Sequence, residues 1–291
     1  MEFLAPTTWA DALAARSEHP GAMPIAGGTD LMVELNFDRH RPEGLLDLTR
    51  VPELRDWQRT EDGGVRLGAG VTFARVMTEL ADLAPGLAMA SRTVGSPQIR
   101  VRGTVGGNLG SASPAGDAHP VLLAVDAVVE VESVRGSRQV PVAEFFTGVK
   151  RSSLEPDELI AAVLLPPVAG PQQFAKIGTR NAMVIAVTSF GLALHGDRRT
   201  VGAAIGSAAP TPRHAATAEA FLAAALDEDG LWESRGDLPD ATATRFGDLV
   251  AADASPIDDV RGTAAYRRHA LSVLARRTLG WAWHDYRGEA A

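Results

Sequence analysis

Two stretches of small residues in this sequence can hold a ligand through the main chain. The first, Ile25-Ala26-Gly27-Gly28-Thr29-Asp30-Leu31, runs from a strand end through two glycines and a hydroxyl into a helix start. The second, Arg102-Gly103-Thr104-Val105-Gly106-Gly107-Asn108-Leu109-Gly110-Ser111, has four glycines in the eight residues from Gly103, interleaved with Thr104, Asn108 and Ser111. Several backbone N–H groups converging on one point suit a diphosphate, and glycine allows both the conformations and the close approach this needs. A helix N-terminus adds partial positive charge. Thr29 can donate its hydroxyl to phosphate. Asp30 would be repelled by phosphate, so a sugar hydroxyl or a capping amide suits it better. Ser113-Pro114-Ala115-Gly116-Asp117 follows the second loop and ends in a carboxylate at a helix start. Neither loop is the dinucleotide G-x-G-x-x-G or the phosphate-binding G-x-x-x-x-G-K-[ST]. A Gly-Gly pair after a strand is commonly only a turn, the second loop is also compatible with a glycine-rich hairpin, and Asp117 with a helix cap. The residues alone therefore give two small-residue loops suited to an anionic ligand.

Other chemistry is narrowed by composition. The 291 residues contain no cysteine, which excludes disulfides, thiol catalysis and iron–sulfur clusters carried on this chain. The seven histidines show no i,i+4 pairing, so no metal site is expected. His119, two residues after Asp117, reads as a helix-start residue. Ser96 and Ser113 lack the G-x-S-x-G elbow of a hydrolase. No catalytic residue is assigned. The formal net charge of −8 disfavours nonspecific nucleic-acid binding, and the Arg267-Arg268/Arg276-Arg277 cluster reads as a solvated helix face. Trp281 and Trp283 read as helix packing. No run of 18 apolar residues predicts a membrane span, and Met1-Glu2-Phe3-Leu4 does not begin a signal peptide, so a cytoplasmic location is expected.

The elements that position these loops follow from local patterns. Thr8 is placed to cap a helix from Trp9, and Thr72 one over residues 73–83. Strands are expected at 22–25, 45–48, 127–132, 139–142 and 159–165, with a hairpin at Asp62-Gly63-Gly64. Helical stretches are expected at 31–35 and 119–125. Strands at 174–179, 184–194 and 200–208 predict a three-stranded antiparallel sheet. Helices at 213–226, 241–252 and 262–287 follow it, the last with Leu271, Leu274, Thr278, Leu279 and Ala282 near a 3.6-residue period. Hairpins mixed with helices give an α+β class.

The two loops, in this order, resemble those of the FAD-binding medium subunit of the molybdenum hydroxylases, the family of xanthine dehydrogenase, aldehyde oxidoreductase and carbon monoxide dehydrogenase flavoproteins. The opening Phe3-Leu4-Ala5-Pro6, the stretch Pro97-Gln98-Ile99-Arg100-Val101-Arg102-Gly103-Thr104-Val105-Gly106-Gly107-Asn108 and the segment Asp258-Asp259-Val260-Arg261-Gly262-Thr263-Ala264-Ala265-Tyr266-Arg267-Arg268 extend the resemblance over the whole chain. It implies a two-part FAD-binding fold of the vanillyl-alcohol oxidase (PCMH) type in residues 1–56 and 57–169, then a C-terminal α+β domain in 170–291. It implies FAD as cofactor, with Pro24, Ile25, Ala26, Gly27, Gly28, Thr29, Asp30 and Leu31 along the diphosphate. Thr104, Gly106, Gly107, Asn108 and Ser111 would form the second clamp. Asp117 would contact the adenosine ribose, Val94 and Gly95 would lie beside the cofactor, Ile160 would meet the flavin ring, and Lys176 its pyrimidine edge. Where several relatives carry an aromatic over one flavin face, this chain has Val94 and Val184. The implied role is electron transfer from iron–sulfur clusters on a small partner chain to an external acceptor such as NAD, beside a large molybdopterin-binding subunit. The alternative is a stand-alone FAD-dependent oxidase or dehydrogenase acting on its own small substrate.

Overall fold

The computed structural model describes residues 2–167 and 169–288. Met1 and residues 289–291, the outermost parts of the expected first and third subdomains, lie outside them. Near the N-terminus, β1 (Glu2–Leu4), β2 (Ala22–Ile25) and β3 (Gly44–Asp47) form a parallel sheet in the order β1-β3-β2. Helix Trp9–Glu18 connects β1 to β2 and starts where the Thr8 hydroxyl accepts the Asp11 amide at 3.1 Å. Pro24 sits in an edge strand, where its missing N–H costs no ladder bond.

A second sheet holds β4 (Trp57–Arg59), β5 (Val65–Gly68), β6 (Val128–Ser133), β7 (Gly136–Pro141) and β10 (Leu159–Leu165), in the order β4-β5-β10-β6-β7 and antiparallel throughout. β10 is central and buried along nearly its whole length, which is why it reads as an unbroken aliphatic run. β8 (Phe146–Gly148) and β9 (Arg151–Ser152) make a small separate hairpin. The helix expected over 73–83 ends at Glu79, and a further helix, Pro85–Thr93, follows with proline in its first turn.

The third sheet corrects the sequence reading: it has four antiparallel strands rather than three. β11 (Gln172–Ile177), β12 (Thr188–His195) and β13 (Thr200–Gly206) are joined by β14 (Arg213–His214), paired as Ala204↔His214 and Ile205↔Arg213. Two residues carry no alternation to read, so β14 was absorbed into the helix pattern; the helix begins at Ala216. Helices Ala216–Glu228, Asp240–Asp253 and Ala264–Arg287 accompany this sheet, with Leu271, Leu274, Leu279 and Ala282 of the last in one core with Phe190, Leu192 and Ile205. Helix His119–Ala124 covers the opposite face. A Cβ at Gly202 would lie 1.9 Å from the Ala124 carbonyl oxygen, so glycine lets helix and strand touch. With both faces covered, every residue of β12 is buried.

The arginine cluster also splits. Arg268, Arg276 and Arg277 are exposed, but Arg267 is 3% exposed. Its guanidinium donates to the carbonyls of Val187 and Ser207 and pairs with Asp259 at 2.5 Å. It fixes the segment before the last helix onto the sheet. Trp283 is buried, its indole N–H donating to Gly236, whereas Trp281 is half exposed. Among the described residues no helix is long and apolar enough to cross a membrane.

Candidate functional site

The second glycine stretch is a short helix, Val105–Ser111, rather than a loop or hairpin. Thr104 starts it: its hydroxyl accepts the Gly107 amide at 2.9 Å, which leaves its proton available to donate. Gly106, buried, donates its amide to the Ala69 carbonyl, seating the helix on the central sheet. Gly107 and Gly110 lie one turn apart on the exposed side, with Asn108 and Ser111 half-buried beside them. The Ser111 hydroxyl donates to the Asn108 carbonyl at 2.9 Å. The Asn108 side-chain oxygen is buried with no hydrogen-bond partner. Thr104→Ala is expected to cost about 1 kcal/mol by loss of this cap, read as a shift in the urea midpoint.

The first loop meets this helix directly. A Cβ at Gly27 would fall 1.9 Å from the Arg102 carbonyl oxygen and 2.9 Å from the Gly103 nitrogen, so the two glycine stretches pack backbone to backbone. Gly28 has φ +72°, the left-handed turn that sends the chain into helix Leu31–Asn36. Thr29 and Gly103 are adjacent, since a Cβ at Gly103 would lie 3.3 Å from the Thr29 hydroxyl. A Cβ at Gly107 would touch that of Ala26 at 3.9 Å. Pro24, Ile25 and Ala26 are half-buried along the same edge, as is Leu31. Asp30 is exposed, and its side chain makes no capping hydrogen bond. Ile160 lies beneath the glycine helix, 3.7 Å from a Cβ at Gly110. A register shift between Ile160 and Ala162 leaves Ala161 as an extra residue, its carbonyl accepting the Ala69 amide.

A second cluster joins the N-terminal half of the chain to the C-terminal sheet. Lys176, on β11, pairs with Asp117 at 2.5 Å, and both side chains are about nine-tenths buried. The ammonium also donates to the carbonyls of Thr93 and Val184, at 2.9 and 3.2 Å. The Thr93 hydroxyl donates to the same Asp117 oxygen at 3.0 Å; the other Asp117 oxygen is buried without a partner. Burial pushes the Asp117 carboxyl up, against the pull of Lys176 and Thr93. The two residues assigned from sequence to opposite ends of a ligand thus form one ion pair. Val94 and Gly95 follow Thr93 directly, and their carbonyls accept the Arg100 guanidinium. Thr93 escaped the sequence reading; only its place before Val94-Gly95 pointed to it. A concavity of about 740 Å³ opens elsewhere, between Asp237, Arg276, Arg277 and Trp283, and takes no part in this site.

FAD can be tested against these residues. The contacting backbones of Gly27 and Arg102 and the side-chain-free face at Gly107 and Gly110 form a small-residue cradle, and the orphaned acceptor oxygens of Asn108 and, in the second cluster, Asp117 suit ligand hydroxyls. The geometry fits a diphosphate-linked ligand. Comparison with known proteins agrees. Residues 1–168 match the FAD binding domain in molybdopterin dehydrogenase, and residues 173–282 match the CO dehydrogenase flavoprotein C-terminal domain. The nicotinate dehydrogenase FAD-subunit of Eubacterium barkeri is 36% identical over 67% of this chain and 69% of its own length. The xanthine dehydrogenase FAD-binding subunit of Escherichia coli O157:H7 is 30% identical over 94% of this chain and 92% of its own. Carbon monoxide dehydrogenase from Hydrogenophaga pseudoflava, solved in a form lacking the Mo-pyranopterin moiety, superposes with a TM-score of 0.88 at 26% identity, over 97% of both chains. The chain belongs to the family of FAD-binding medium subunits of the molybdenum hydroxylases.

Proposed function

We propose that this chain holds FAD across the cradle formed by Ala26–Thr29 and the glycine helix. It serves there as the flavin-bearing subunit of a molybdenum hydroxylase complex, relaying electrons from iron–sulfur clusters on a partner chain to an external acceptor. The observation that carries this is the backbone contact of Gly27 with Arg102, which joins two glycine stretches within the region matching the FAD domain. FAD, when bound, supplies the capacity to exchange one or two electrons, and the protein supplies binding, orientation and electrostatics. Pro24 to Thr29 and Leu31, with Thr104, Gly107, Asn108 and Ser111, hold the diphosphate portion, Gly106 seats the helix that carries them, and Asp30 meets a sugar hydroxyl. Ile160 supports the ring from the sheet. Lys176 places a cation at one point of the ligand, held in orientation by Asp117 and Thr93, with Val94, Gly95 and Val184 around it.

The finer parts of the reading have their own support. Carrying no cysteine, the chain depends on others for clusters. The relatives named above are subunits, which favours a small iron–sulfur and a large molybdopterin-binding partner over the stand-alone alternative. NAD is one candidate acceptor, and the cytoplasm the location consistent with these partners. The divisions 1–56, 57–169 and 170–291 each contain one of the three larger sheets. The test is purification of the full chain alone and with its partners. A yellow protein that turns over no organic substrate until partner chains are added is the expected result. Turnover of such a substrate by the isolated chain supports the stand-alone reading instead, and a protein that binds no FAD on titration defeats both.

A further inference from the structure

The glycine helix ends abruptly. Ala112 turns into the left-handed region, with φ +45°, and its N–H goes back to Leu109 at 2.9 Å. In a continuing helix that N–H would have reached the Asn108 carbonyl, which is therefore left without a main-chain donor. Two side chains fill the gap: the Ser111 hydroxyl at 2.9 Å and the imidazole Nε2 of His119 at 3.2 Å. His119 is fully buried. Its ring packs against Phe146 with centroids 4.5 Å apart, and a Cβ at Gly116 would sit 2.2 Å from a ring carbon. Ring and carbonyl are thus held at a fixed distance by packing on two sides.

The imidazole's electronic state follows from this burial. Desolvation pushes its pKa down to about 4, against the carbonyls of Asn108 and Ser113, so it is neutral at pH 7. Of the two ring nitrogens only Nε2 makes a hydrogen bond, to the Asn108 carbonyl, and a carbonyl only accepts, which assigns the proton to Nε2. Nδ1 then carries the lone pair and has no hydrogen-bond partner. The same helix end is held from a third side. The Lys150 amide, in the β8–β9 hairpin that begins at Phe146, donates to the Ala112 carbonyl at 3.1 Å, and the Lys150 ammonium pairs with Glu34 of helix Leu31–Asn36 at 2.6 Å.

We propose that His119 is a positioning residue for FAD: its Nε2–H caps the C-terminal turn of the glycine helix and fixes the face that Gly107, Asn108 and Gly110 present to the cofactor. The proposal rests on the reading that this helix lines the FAD site. Its test uses the full chain, titrated with FAD and followed by flavin fluorescence. His119→Leu fills the space without a donor; His119→Gln retains an amide donor in place of Nε2–H. His119→Leu is expected to weaken FAD binding about tenfold, on the scale of one hydrogen bond, and to speed amide exchange at residues 109–112. His119→Gln should restore both. Equal affinity in the two variants, whether lost or retained, overturns the proposal, because the donor would then be irrelevant. Nitrogen NMR of the wild-type imidazole needs no variant to fold: an Nε2–H tautomer is expected, and an Nδ1–H tautomer overturns the assignment. Gly107→Val in the same titration separates the two levels. If it binds FAD normally, the helix is not the FAD site and both readings fall. If it loses FAD while His119→Leu does not, only the role of His119 falls.

Discussion

Gly27→Val is expected to abolish FAD binding and to lower stability by about 3 kcal/mol, a value at the upper end for overpacking. The cause is a main-chain collision. A Cβ on Gly27 would lie 1.9 Å from the Arg102 carbonyl oxygen and 2.4 Å from its carbon. Neither atom belongs to a side chain that can rotate away, so the two stretches must separate. Separation also shifts Gly103, whose amide donates to Ile99 and whose carbonyl accepts the Phe73 amide. Gly27→Ala already carries the offending atom and should show most of the effect. Gly21→Ala is the control. There the added Cβ would meet only the Glu43 carboxylate, at 2.4 Å, which can swing aside. Urea unfolding with and without FAD measures both quantities. A Gly27→Ala protein with wild-type midpoint and flavin affinity would show that the loops do not touch and that the clamp has been misplaced.

Gly107→Val is the gentler probe of the same cleft. A Cβ there would come within 2.9 Å of the Thr104 hydroxyl and otherwise approach only Ala26. Thr104→Ala reports the loss of the cap and of the Thr104 hydroxyl, so the excess effect of Gly107→Val on FAD affinity reports obstruction of the cleft.

What the sequence could disclose was set by the range of each interaction. Thr8 and Thr72 were legible as caps because a hydroxyl and an amide three residues on are enough to define one. β10 was legible because burial on both faces makes it an unbroken aliphatic run, and the last helix because burial of one face imposes a 3.6-residue period. The glycine stretches were legible as ligand-suited small residues, but their shapes were not. The second is a helix because the Thr104 hydroxyl accepts the Gly107 amide and caps it. Longer contacts left no local mark. Arg267 looks like its exposed neighbour Arg268, and only the carbonyls of Val187 and Ser207, far away in the chain, make it a buried strut. His119 reads only as a helix start in the sequence because neither Asn108 nor Phe146 announces an imidazole partner. Family resemblance placed Asp117 and Lys176 at the site one by one; their contact became visible only once β11 was laid beside Thr93.

That contact carries the second large prediction. Lys176→Met should cost about 3–5 kcal/mol, the usual penalty for removing one partner of a buried ion pair. Asp117 would keep a buried carboxylate with one oxygen already unpartnered, and the carbonyls of Thr93 and Val184 would lose their ammonium donor. The pH dependence has a defined sign. Burial already raises the Asp117 carboxyl, and without Lys176 the main opposing charge is gone. A folded-state value raised above the unfolded one means that the folded protein binds the extra proton. The carboxyl's contribution is then favourable below about pH 4, the unfolded value, and is lost as pH rises through the folded one. The variant's deficit relative to wild type should therefore be smaller near pH 4.5 than at pH 7. Lys176→Met combined with Asp117→Asn removes the stranded charge and should recover most of the loss. Because the two residues act as one unit, their effects on FAD affinity should not add: Asp117→Asn, Lys176→Met and the double variant are expected to weaken binding by similar factors. Additive losses would mean that the two side chains meet the flavin separately, and that FAD breaks the pair when it binds.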